Sequence, residues 1–147
     1  MAPEDTGVAD EGIRAQQLKW LEMLEAVITR MAHNQFKLRA WGVGLGSAII
    51  GFAAKDNNPK VALLALLPAL TFWLLDAYYL ALEEKFRDKY AKAPTDQKTV
   101  PTFALKIEGW KVTDPLPKLV RPGVFLVYVP VLALALALIV GLVPWPK

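Results

Sequence analysis

The run from Val61 to Leu75 carries no charge and ends on a single acid, Asp76, after which come Tyr78, Tyr79 and the dense charge of Glu83, Glu84, Lys85, Arg87, Asp88 and Lys89. A helix rises about 1.5 Å per residue and crosses a hydrocarbon core of about 30 Å in roughly 20 residues. Val61 to Leu82 meets that length and delivers tyrosines and then charge where a headgroup region would begin. It reads as a helix that spans a membrane and continues into water as far as residue 92. A second charge-free run, residues 123–143, lies between Pro122 and the Pro144-Trp145-Pro146 end, with Trp145 suited to an interface. Its Leu-Ala alternation looks strand-like, but a lone strand cannot satisfy its backbone in lipid, so a helix is expected.

The rest of the composition fits a chain of separate apolar and polar blocks. Apolar residues make up 54% of it, yet 21% of residues are charged. A net charge of +3 is too mild to argue for a nucleic-acid partner. The absence of cysteine removes disulfides and thiolate-bound metals. No apolar run precedes Phe36, so no cleavable signal peptide is expected.

Residues 1–11 (MAPEDTGVADE) are acidic, small and punctuated by Pro and Gly, as a disordered tail would be. From 12 to 39 the pattern is that of an amphipathic helix on the cytoplasmic side. Leu21, Leu24, Ile28, Met31, Gln35 and Leu38 alternate spacings of three and four, an a/d seam broken by one polar residue. Such a seam packs on the rest of its own chain, lies on a membrane surface, or joins copies of the chain. Residues 40–54 form a short first span, rich in small residues: Gly42 and Gly46, Ser47 and Gly51, and a row through Gly44. Small residues let helix backbones approach closely in lipid, within one molecule or between two.

Lys55 to Lys60 (KDNNPK) is turn chemistry, so the helices on either side are antiparallel neighbours. With the hairpin centred between Asn57 and Asn58, positions whose numbers sum to 115 lie at equal depth, and Arg39 and Asp76 satisfy that sum. Either charge alone in mid-membrane costs about 2.5 kcal/mol or more on insertion scales. An ion pair would relieve part of that cost, as would snorkelling to water or a partner in another subunit. Pro68 interrupts the second span as a hinge or a passive kink. Residues 93–121 hold Pro94, Pro101, Pro115 and Pro117, which excludes a long helix, and TFALKIEGWKV suggests a short strand or an interfacial loop.

All lysines and arginines except Lys55, Lys60 and Lys147 precede the first span or lie between the second and third. The positive-inside rule then puts the N-terminus and the long connection in the cytoplasm, and the hairpin tip and C-terminus outside. Trp41, Trp73, Tyr78, Tyr79 and Trp145 fit the aromatic belts. No catalytic constellation, cofactor motif or metal-ligand spacing is visible: His33 is the lone histidine, and no Walker loop, G-x-S-x-G or H-E-x-x-H occurs. The acids at 83, 84 and 88 interleave with bases, as on a solvated helix face with a Glu83–Arg87 pair.

The runs Arg30 to Asn34, Phe72 to Leu80 and Glu83 to Tyr90 resemble those of small multi-pass membrane proteins of bacterial phage-defence operons, including two-transmembrane effectors. The resemblance does not extend to Pro94–Arg121. It implies a protein that perturbs the inner membrane when a partner or signal activates it. The expectation is an all-α membrane protein, not an enzyme and without cofactor, whose partners are the lipid bilayer, further copies of itself and a cytosolic protein. It would act as an oligomeric effector or pore-forming subunit, with Leu21, Leu24, Ile28, Met31 and the small residues supplying contacts. The alternative is a non-catalytic anchor or scaffold that docks a cytosolic enzyme.

Overall fold

The computed structural model describes residues 4–93 and 105–142. Its elements are α1 (Glu4–Lys55), α2 (Pro59–Leu64), α3 (Leu66–Ala91), a 3-10 turn (Leu116–Lys118) and α4 (Pro122–Leu142). No strand occurs among the described residues, and Leu105 to Trp110 is irregular chain.

α1 departs from the expected partition. The tail, the amphipathic helix and the first apolar block form one helix of 52 residues, about 78 Å long, and it already runs from Glu4. No proline stands between Pro3 and Pro59, so nothing stops the helix until the turn.

That turn is built from backbone geometry. Asn57 takes φ 48, a left-handed conformation that asparagine tolerates better than most residues. The Asn58 N–H donates to Ala53 O at 3.1 Å and the Asn57 N–H to Ala54 O at 3.4 Å, a Schellman closure of α1. Asn58 then caps α2: its Oδ1 accepts from the Lys60 N–H at 3.0 Å, and Pro59 takes the first helical position. Pro68 has no N–H to give Leu64 O, and its ring crowds that carbonyl. The helix accordingly breaks at Ala65, whose N–H donates to Ala62 O at 3.1 Å. α4 also holds a proline, Pro130, and remains one helix.

α2 and α3 run back along α1, and α4 lies against all three. Tyr128 of α4 stands at Gly42, Val131 at Gly46, and Ala135 clusters with Ile50. α4 therefore runs parallel to the second half of α1, and its C-terminal end lies toward the hairpin tip. The bundle has two apolar centres. One joins Trp20 and Leu24 of α1 to Phe86 of α3, with Leu21, Ile28, Met31, Leu105 and Ile107 around it. The other, toward the tip, is made of Ile50, Ala65, Ala69, Val131 and Ala135.

Two helices are long and apolar enough to cross a membrane: Pro59–Ala91, taken through the break, and Pro122–Gly141. No stretch of α1 is counted with them among the described residues, so the expected span at residues 40–54 is weaker than these two. Glycine at 42, 44, 46 and 51 and serine at 47 dilute its hydropathy.

Candidate functional site

Between the two apolar centres, α1 and α3 meet through a polar ladder. Arg39 Nε donates to Asp76 Oδ2 at 2.7 Å, and its Nη2 to Asp76 Oδ1 at 3.3 Å and to Gln35 Oε1 at 3.4 Å. Gln35 Nε2 donates to Glu83 Oε2 at 2.6 Å, and Arg87 closes the ladder with Nε to Glu83 Oε1 at 2.7 Å. Asp76, Gln35 and Glu83 are buried, whereas Arg39 and Arg87 reach the surface. Each buried acid faces one guanidinium, so the ladder carries no surplus charge, and a buried charge that is paired avoids most of the cost of desolvation.

Local helix geometry places these groups. Gln35 and Arg39 are one turn apart on α1, and Asp76, Glu83 and Arg87 follow at spacings of seven and four on one face of α3. Gln35 is the polar break in the apolar seam, and its partner across the interface is Glu83. The solvated-face reading of the acids after Leu82 is corrected here. Glu83 is buried in the ladder, and Glu84 binds Lys118 and, at 2.7 Å, Arg121 Nη2. Glu84 thus ties the connection to α3, as do Lys85 Nζ on Asp114 at 3.3 Å and Lys89 Nζ on Lys106 O at 3.1 Å.

Of the seam residues, Leu24 is buried against Trp20 and Phe86 of the same chain, and Leu21, Ile28 and Met31 pack half-buried around that cluster. The small residues divide into two sets. A Cβ at Gly42 would stand 2.9 Å from Tyr128 Cε1 and 3.0 Å from Phe72 Cβ, and one at Gly46 would stand 2.9 Å from Val131 Cγ1. Both therefore serve packing inside the bundle. Gly44 and Gly51 open onto free space, and Ser47 is exposed beside them.

Trp41 is exposed at the level of Arg39. Trp73 Nε1 donates to Leu119 O at 3.1 Å, and Tyr78 stands edge-on to Tyr79 and Trp110. Trp145 lies outside the described residues. Tyr128, which the sequence reading passed over, is fully buried against Gly42, and its hydroxyl meets no hydrogen-bonding partner. His33 is exposed. No group of three or more His, Asp or Glu able to hold a metal ion occurs among the described residues.

The ladder pairs its acids with arginines and presents no nucleophile next to a base. Its chemistry is that of a lock, fixing the register of α1 on α3. No protein-family model, curated protein or solved structure matches the chain. What the fold defines is a class: an all-helical bundle in which two helices are long and apolar enough to cross a membrane.

Proposed function

We propose that this chain is an integral protein of the bacterial inner membrane that acts by assembly of copies, as a membrane-perturbing effector in anti-phage defence. The observation that carries the membrane reading is how little of the apolar helices the bundle covers. Only 28% of the apolar window in Pro59–Ala91 and 22% of that in Pro122–Gly141 is buried, whereas a core helix of a soluble protein would be mostly covered. Phe52, Leu64, Leu67, Leu126 and Leu134 all stand more than half exposed, a band that water would not tolerate and lipid would. The second half of α1, packed between the two stronger helices, crosses with them as the third span. The distribution of basic residues supports a cytoplasmic N-terminus and an external C-terminus.

Assembly is assigned to the face of α1 that carries Gly44, Ser47 and Gly51, since the Gly42–Gly46 pair is consumed within the chain and the seam is already half-covered by it. The defence role rests on the resemblance in the runs at 30–34, 72–80 and 83–90. Disulfide trapping of a Ser47→Cys variant in membranes tests assembly: covalent dimers are expected, and monomer alone with and without the operon partner sinks the reading. Leakage of a trapped dye from vesicles tests the effector role.

A second reading, a membrane scaffold for a cytosolic enzyme, is favoured by the projecting end of the molecule. There the first half of α1 and the end of α3 stand clear of the apolar band, with Leu18 61% exposed. Vesicles that stay sealed while a cytosolic protein co-purifies with the chain would select it.

A further inference from the structure

The segment from Trp110 to Arg121 is built inside out for a chain in water. Its inward side carries charge: Asp114 accepts from the Lys111 N–H at 3.1 Å and meets Lys85 Nζ at 3.3 Å, and Lys118 pairs with Glu84. Val112, Leu116 and Val120, by contrast, are 91%, 56% and 70% exposed, with the exposed Lys111 beside Val112, while Arg121 turns back to Glu84 at 2.7 Å. Both ends are pinned at the aromatic residues of α3. Trp110 meets Tyr78 edge-on at 5.4 Å, and Leu119 O accepts from Trp73 Nε1 at 3.1 Å. Six residues beyond Val120, Leu126 continues the exposed apolar surface onto α4.

From this arrangement we infer that residues 110–121 form a membrane-surface element lying flat on the bilayer. Val112, Leu116 and Val120 enter the boundary between headgroups and acyl chains, and Lys111 reaches lipid phosphates. The inference rests on the membrane reading above. The occupant follows from continuity and charge. Beyond Arg121 the exposed apolar residues resume on α4 with Phe125 and Leu126, and the segment is held at Trp73, Tyr78 and Trp110, residue types that prefer the membrane interface. Lys111 stands beside Val112, and the nearby acids Asp114 and Glu84 are both paired with bases on the inward side, which suits a surface of phosphates.

The chain has no cysteine, so single labels can be placed at will. Val112→Cys, Leu116→Cys and Val120→Cys would each carry a nitroxide in full-length protein reconstituted into phosphatidylethanolamine–phosphatidylglycerol vesicles. Glu108→Cys serves as the aqueous reference and Leu134→Cys as the lipid reference. Collision with oxygen, which partitions into lipid, is compared with collision with a water-soluble nickel chelate. The three labels are expected to collide with nickel several-fold less than the label at 108, and to collide with oxygen at a rate between those of the labels at 108 and 134. Nickel access equal to that at 108, or protection from both reagents as under a second copy or a cytosolic protein, overturns the inference while the label at 134 still reports lipid. A label at 134 open to nickel overturns the membrane reading itself.

Discussion

Removing Arg39 should cost more than removing Asp76, and the asymmetry can be worked from the ladder. Arg39→Ala strips both oxygens of Asp76 of their hydrogen bonds, and the Asp76 side chain is 0% exposed. Breaking a buried pair in this way costs about 3–5 kcal/mol. Asp76→Ala leaves a guanidinium that is 31% exposed and still contacts Gln35, so it can turn toward water. A loss of about 1–2 kcal/mol is expected there, the lower range for a hydrogen bond to a charged group. In the double variant no buried carboxylate is stranded, and its loss should match that of Asp76→Ala, well short of the sum of the two singles. The assay is reversible unfolding in mixed micelles, following tryptophan fluorescence against denaturing detergent for the four proteins of the cycle. Losses that add within about 0.5 kcal/mol would show that the two side chains do not act as a pair.

Three further expectations follow from the packing, the turn and the connection. Gly42→Leu and Gly46→Leu should lose about 1–3 kcal/mol by overpacking Tyr128, Phe72 and Val131, whereas Gly44→Leu and Gly51→Leu should leave unfolding unchanged and abolish trapping of Ser47→Cys dimers. Asn57→Ala should cost about 1–2 kcal/mol because its φ is positive, and Asn57→Gly should restore it, as measured in the same micelles. The Lys111 N–H, and less strongly Lys85, hold the Asp114 carboxyl below the usual carboxylate range. A lowered folded-state pKa means that this attachment is fully present above the ordinary range and is lost as pH falls through the folded value. Proteolysis of the connection should therefore quicken with acid in the parent protein, and the Asp114→Asn variant should cut rapidly at every pH.

Several of these features were legible in one dimension because helix geometry converts spacing into position. The Asn-Asn-Pro turn sets a centre, and counting outward from it brings Arg39 level with Asp76, where the two meet at 2.7 Å. Pro68 marks the break, although the turn falls at Ala65 because the crowded carbonyl belongs to Leu64. Gln35 was visible only as a break in the seam, and its partner was not. Glu83 shares a face with Asp76 and was hidden by the charges around it. The continuity of α1 was missed because Pro3, Gly7 and the acids before residue 12 read as tail, whereas Gly7 does not stop a helix that packing holds from Trp20 onward. Which glycines look inward depends on where α4 lies, and nothing local in the sequence encodes that. The same is true of Tyr128, a lone phenol in an otherwise apolar run.

The two legs of the hairpin are mechanically unequal. α1 has no break anywhere between Glu4 and Lys55, while the returning leg is interrupted at Ala65, close to the tip. Measured along α1, the ladder at Arg39 stands about 28 Å from Trp20 and about 24 Å from Lys55. Displacement of the projecting end would pass down the stiff leg as through a lever with nearly equal arms. The mismatch between the legs would collect at Ala65, beside the hairpin tip, the part of the bundle farthest from whatever pushed.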